Sequence, residues 1–192
     1  MSKKTKAAEL DIKHNQLYEF GCDVDSRTIL LFDEEDGEVD ANMSYTFNCN
    51  MTILENISND PIYIRLSSSG GSCYEGFNII DRILNSPCEI HIHASGRIMS
   101  MGLYILVAGD VRTAHFMTDF MHHEISDEVG DARLSHIEAY FINTKNYHKK
   151  MVNYLASRTK QPTMFWSKEG KMVDHYFDAQ KALDYGIVDE VI

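Results

Sequence analysis

No apolar run in this sequence is long enough to span a bilayer: the longest, Met101–Gly109, falls well short of the roughly 20 residues that a membrane helix needs. A secretory signal is missing too, because the start MSKKTKAAELDIKHN is charged and has no apolar central segment. Positive charge is scarce. Eighteen Lys and Arg against 29 Asp and Glu leave a net charge of −11 with histidine neutral, which argues against a nucleic-acid-binding face or an anionic membrane surface. No CxxC or CxxxC pair occurs among Cys22, Cys49, Cys73 and Cys88, so a zinc cage or a redox motif has no support. The thiols read as reduced, packed groups of a cytoplasmic protein whose partners are proteins or peptides. Internal repeats and low-complexity tracts are lacking.

What is present is an ordinary globular composition, 44% hydrophobic and 24% charged over 192 residues, enough for one domain with a sizeable core. Residues 1–16 are lysine-rich and aperiodic and read as a flexible arm or leader, with residues 17–192 as the folded unit. Arg27–Phe32 has the pattern of a buried strand, and the acidic run Asp33–Asp40 that of a solvated turn. Met43, Phe47, Met51 and Leu54 lie on one face of a helix. Strand Ile62–Leu66, a Ser/Gly loop Ser67–Ser72, helix Tyr74–Leu84 and strand Glu89–Ala94 follow, then a turn at Gly96 and an apolar helix over Ser100–Ala108. This alternation predicts an α/β fold with a mainly parallel sheet. Two further strands are predicted near Val111–Phe116 and Phe120–Ile125. A long amphipathic helix is predicted over Ala132–Arg158, whose length of about 40 Å overhangs a domain of this size and suggests contact with another subunit. Asp178 as N-cap, helix Ala179–Tyr185, Gly186 as its stop and strand Ile187–Ile192 close the chain.

Ser100 follows a strand and a glycine and opens an apolar helix, where free backbone N–H groups can stabilise an alkoxide and an oxyanion. It is a candidate nucleophile, or simply a helix cap. His123 ends the strand Phe120–Glu124 and is a candidate base; period-two alternation turns His122 to the opposite face. Neither His122 nor His91-x-His93 has metal-ligand spacing, so no metal or other cofactor is expected. Several acids could orient the imidazole, Asp174 among them, and nothing local selects one. The loop Ser67-Ser-Ser-Gly70-Gly71-Ser72 lacks the lysine and hydroxyl ending of a phosphate loop. Its two glycines suit an oxyanion- or peptide-binding loop, or a flexible turn.

Taken together these pieces resemble the proteolytic subunit of the Clp protease, ClpP. Gly70-Gly71 followed by Gly96-Arg-Ile-Met-Ser100-Met-Gly102 is similar to the family's double-glycine loop and G-x-A-A-S-M-G nucleophile segment. Met121-His-His-Glu124 is similar to its M-x-H-Q strand end, and Asp174 through Tyr185-Gly186 to its D-x-F-x-x-A-x-x-A-x-x-Y-G close. The resemblance runs from about Tyr18 to Ile192. It implies a ClpP/crotonase-like spiral of βαβ units with a protruding handle at about residues 123–160. It also implies a serine endopeptidase that cleaves unfolded proteins inside a ring-shaped chamber. Ser100, His123 and Asp174 would be the triad, and the N–H groups of Gly71 and Met101 the oxyanion hole. Gly70, Ser72, Ile125 and Ser126 would contact the substrate strand. The implied partners are further copies of the chain, in a heptameric ring or a stacked double ring, and an AAA+ unfoldase of the ClpX or ClpA kind.

The departures suit a distant or virus-borne branch. Ser67-Ser-Ser-Gly-Gly replaces N-S-P-G-G, so the proline that stiffens the loop's entry is absent. Bulky Ile98-Met99 replaces a small pair and is expected to narrow a subsite. Ser126-Asp-Glu-Val129 replaces a glycine-rich stretch, and Val173 a basic residue tied to ring–ring pairing. Two other classes share the pattern: a catalytically weak ClpP-like subunit that modulates a host assembly, and a crotonase-type acyl-CoA enzyme.

Overall fold

The computed structural model describes residues 15–33, 38–126, 130–131, 133–171 and 173–192. Residues 1–14 of the arm expected over 1–16 and half of the acidic run, residues 34–37, lie outside these, as do Asp127–Val129, Ala132 and Met172, whereas residues 15–20 are helical. The chain forms a mixed α/β structure. Its strands are β1 (Cys22–Asp23), β2 (Thr28–Phe32), β3 (Ile62–Ser68), β4 (Ile90–Met99), β5 (Val111–Ala114), β6 (Asp119–His122), β7 (His175–Asp178) and β8 (Glu190–Val191). They join in one sheet of order β1-β2-β3-β4-β5-β8, parallel from β2 onward, with β6 pairing both β4 and β7.

The helices are α1 (Ala41–Ile57), α2 (Cys73–Leu84), α3 (Met101–Leu106), α4 (Leu134–Arg158), α5 (Thr163–Lys168) and α6 (Ala179–Tyr185). Each of α1, α2 and α6 starts at a side-chain cap, with Asp40, Ser72 and Asp178 accepting from Met43, Glu75 and Lys181. Gly186 ends α6 in the left-handed region, as expected. Phe47, Met51 and Leu54 of α1 are buried against the sheet, and every residue of α3 is buried. Arg158 at the end of α4 donates to the carbonyls of Val107 and Gly109, meeting the polar end of that buried helix with a guanidinium. No helix among the described residues is long and apolar enough to cross a membrane.

Several predicted boundaries move: β5 stops at Ala114 and β6 at His122, short of Phe116 and Ile125. The strand expected to stop at Ala94 continues through Gly96 to Met99. Opposite it, Leu66 pairs with Ala94 but Ser68 with Ile98, so β4 carries a bulge. This bulge re-aims the strand: His91–Ala94 pairs with β5, whereas Arg97–Met99 pairs with β6. The last predicted strand is paired only at Glu190–Val191, although Ile187 and Val188 are buried. In α4 the apolar stripe faces the core in its second half, where Met151, Val152 and Leu155 are buried and Tyr147 packs on Tyr74 and Phe77. Leu134, Phe141 and Ile142 are exposed.

Besides the two-residue β1, β7 and α5 carried no pattern in the sequence. Both stand on an aromatic cluster. Trp166, fully buried, meets Phe165 and His122 edge to face, and Tyr185 closes on Phe165 and Phe177. The indole N–H is satisfied by Thr159 Oγ1 at 3.0 Å.

Candidate active site

Ser100 occupies the single residue between β4 and α3, with φ 49° and ψ −122°. A non-glycine residue rarely adopts that backbone, and its presence marks a site where the surrounding structure imposes it. The restraint is visible: Ser100 N–H donates to Met121 O at 2.9 Å, so the strand after the bulge is tied to β6 up to its last residue. As a helix cap Ser100 would place Oγ on an α3 N–H, and it makes no such bond. Instead its hydroxyl lies 2.7 Å from His123 Nε2. With the imidazole proton on Nδ1, Nε2 accepts from the hydroxyl.

Alternation separates the two histidines as expected. His122 is fully buried, its Nε2 hydrogen-bonded to Trp166 O at 3.1 Å, and burial lowers its pKa to about 4. It is a neutral core residue. His123 is half-buried and faces Ser100.

The choice among acids, open in the sequence, is narrowed by strand pairing. In the antiparallel β6–β7 ladder Asp119 pairs with Asp178 and His122 with His175. One step further along that register sets His123 opposite Asp174. Asp174 Oδ1 lies 3.9 Å from His123 Nδ1, an ion-pair separation longer than a hydrogen bond, and the carboxylate is about half exposed. Such contacts often tighten only when substrate is bound. Gly170 lets the chain pass close behind, since a β-carbon there would stand 2.5 Å from His122 O.

The glycine loop is packed on Ser100. Gly70 and Gly71 have φ 107° and 138°, and a β-carbon on Gly70 would lie 3.0 Å from both Ser100 Oγ and Met101 N. Among the described residues neither Gly71 N–H nor Met101 N–H meets an acceptor. Gly70 is fully engaged, its N–H on Ser68 Oγ and its carbonyl on Val39 N–H. Ser72 donates its N–H to Val39 O and caps α2, so what it leaves free for a substrate is little backbone polarity. Ile125 packs partly against the core and Ser126 is exposed just beyond β6. Ile98 is fully buried among core residues, so the expected narrowing of a subsite falls to the half-buried Met99 alone.

Two residues of this region were misread from sequence: Val39, expected in the solvated turn, is fully buried and bridges Gly71. Asp33, expected in a solvated turn, has a side chain only 2% exposed and accepts from Ser69 N–H and Ser69 Oγ at 2.6 and 2.7 Å. Gly170 and Asp33 had no local signal, because both act on segments distant in the chain.

A hydroxyl bonded to an imidazole, with two unaccepted N–H groups beside it, is an arrangement suited to acyl transfer. The family signature described as Clp protease matches residues 17–192, and the chain belongs to that family. It is 35% identical over 135 residues to the ATP-dependent Clp protease proteolytic subunit 2 of Corynebacterium glutamicum, a match covering 68% of this chain and 65% of that one. With the corresponding subunit 2 of Pseudomonas aeruginosa it is 28% identical over 158 residues, covering 81% and 78%. A solved ClpP1 mutant from Listeria monocytogenes superposes with a TM-score of 0.79 at 27% identity, covering 88% of this chain and 92% of that one.

Proposed function

We propose that this chain is a serine endopeptidase, the proteolytic subunit of an ATP-dependent Clp-type protease. The observation that carries the reading is the 2.7 Å contact between Ser100 Oγ and His123 Nε2, beside the unaccepted N–H groups of Gly71 and Met101. Ser100 Oγ attacks the peptide carbonyl carbon while its proton passes to His123 Nε2. The carbonyl oxygen becomes an oxyanion received by the two N–H groups, each typically worth about 10²–10³ in rate. The C–N bond then breaks, His123 returns the proton to the leaving amine, and Ser100 holds the acyl group as an ester. Water, deprotonated by the same imidazole, releases the acid and restores Ser100. Asp174 orients His123 and favours the imidazolium. Gly70, Ser72, Ile125 and Ser126 flank the path of the substrate strand.

In this reading residues 17–192 form the peptidase unit and the chain works in the cytoplasm. Several copies assemble through the exposed Leu134, Phe141 and Ile142 of α4 into a heptameric ring or stacked rings. The relatives named above are subunits of ATP-dependent proteases. By likeness this chain takes unfolded protein from an AAA+ unfoldase of the ClpX or ClpA kind, since its own double-glycine loop has no phosphate-binding ending. The test is labelling with a serine-reactive fluorophosphonate, followed by mapping of the adduct. A single adduct on Ser100 that Ser100→Ala abolishes is expected; no labelling, or labelling elsewhere, refutes the peptidase.

A further inference from the structure

Asp33 leaves the sheet at the end of β2, and its N–H continues the ladder by donating to Ser67 O at 3.2 Å. It therefore stands beside the loop that carries Gly70 and Gly71. Its Oδ2 accepts both donors of Ser69, N–H at 2.6 Å and Oγ–H at 2.7 Å. The same oxygen lies 3.7 Å from Arg97 Nη2, on β4, the strand that leads into Ser100. Its other oxygen is buried and accepts nothing among the described residues. A carboxylate this deeply buried is costly unless held by such donors, so Asp33 and Ser69 fix each other's positions. The proposed mechanism leaves it without a part.

The part it can play follows from what comes next in the loop. Gly70 and Gly71 adopt φ 107° and 138°, where glycine has no intrinsic preference that would hold an N–H in one direction. One hold is direct: the Gly70 carbonyl, in the same peptide plane as the Gly71 N–H, accepts from Val39 N–H at 2.7 Å. The rest of the direction has to come from the flanks. Downstream, Ser72 is fixed by Val39 and by α2. Upstream, Ser69 is fixed by Asp33. We propose that Asp33 is a positioning residue: by clamping Ser69 it aims the Gly71 N–H at the carbonyl attacked by Ser100. This rests on the peptidase reading above. It also accounts for a loop without a stiffening proline. Serine at 69 supplies the two donors that Asp33 needs, whereas the proline of the resembled family has neither donor and holds its own φ.

The test is a double-mutant cycle on the full-length chain, read as kcat and KM for an unstructured fluorogenic peptide, with active sites counted by fluorophosphonate. Asp33→Ala is expected to lower kcat per labelled site by about 10- to 100-fold, the range for a misaimed catalytic group, with KM changed much less. Ser69→Pro, which strands a buried carboxylate, is expected to lose kcat and thermal stability. Asp33→Ala combined with Ser69→Pro is expected to recover most of the kcat, because a ring then does the clamping. A side chain needed only for folding would lower the count of labelled sites and leave kcat per site unchanged; that result overturns the proposal. So does a double variant that is no more active per site than Asp33→Ala, or one that does not fold. Should Asp33→Ala alone fail to fold, the double variant is compared with Ser69→Pro, and a kcat per labelled site no higher than that of Ser69→Pro overturns the proposal. A wild-type chain that neither hydrolyses peptide nor takes the label overturns the peptidase and this assignment with it. A labelled wild type with an unaffected Asp33→Ala overturns this assignment alone.

Discussion

Gly70 lies so close to Ser100 that a β-carbon on it would sit 2.5 Å from Ser100 Cβ. No rotamer relieves that contact, because both atoms are fixed to backbone, and φ 107° already disfavours any other residue. Gly70→Ala is therefore expected to push the loop off Ser100 and, on the proposed mechanism, lower kcat by at least about 100-fold, on the scale of an ångström-level misplacement. Peptide hydrolysis per folded subunit checks this; an alanine variant with near-wild-type kcat would show that the loop has room to spare.

Ser100→Ala removes one hydroxyl and no packing atom of consequence, so it is expected to keep the fold and the assembly. Its peptidase rate should fall at least about 10⁴-fold, as should that of His123→Ala, since the two act as one unit. Circular dichroism together with peptide hydrolysis distinguishes this from a folding defect.

His122 should behave in the opposite way. Truncation to alanine empties a site packed against Trp166 and leaves its carbonyl without a donor, a loss of about 2–4 kcal/mol in stability. The folded fraction should retain its triad chemistry. The residue also makes stability depend on pH. Neutral in the folded state down to about pH 4, it takes up a proton near pH 6.5 once unfolded. The unfolded chain thus binds more protons between those values, and stability is lost as pH falls through that window, on the order of 3 kcal/mol in all. Thermal melts at pH 7 and pH 5 should differ more for the wild type than for His122→Gln; equal differences would remove His122 as the cause.

Asp174 is about half exposed and 3.9 Å from His123. Its neutralisation should cost less than the roughly 10⁴-fold expected for a sealed triad acid, on the order of 10²–10³ in kcat. Asp174→Asn should still be labelled on Ser100, only more slowly. A variant with wild-type kcat would assign the orienting role to another group.

Phe141 is 67% exposed and Ile142 59% in the isolated chain, so charged residues there forfeit no internal packing. Phe141→Glu with Ile142→Glu is expected to leave the melting temperature of the subunit within a few degrees and to lower the sedimenting mass. An unchanged mass would place the contact between copies elsewhere.

The sequence patterns that proved readable were those carried by neighbouring residues. The alternation over Phe120–Glu124 sends His122 and His123 to opposite sides, and although β6 ends at His122, the structure turns them to Trp166 and to Ser100 respectively. Asp178 and Gly186 bound α6 as their chemistry requires. The continuation of β4 to Met99 was not legible, because it depends on a bulge against β3 and a change of partner from β5 to β6. Nor was β7, a four-residue strand whose existence depends on pairing with β6 and on the aromatic cluster beneath it.

Sequence alone determined the α/β class, the glycine loop, the turn that carries Ser100 and the separation of His122 from His123, because periodicity and local glycine chemistry act within a few residues. Only the tertiary structure decided which carboxylate meets His123. Asp174 lies 51 residues further along the chain, and a β6–β7 register brings it there. Tertiary structure likewise decided that Asp33, first of an acidic run, is buried. Its environment is made by Ser69, 36 residues away, and whether a charge is solvated or clamped depends on what folds over it.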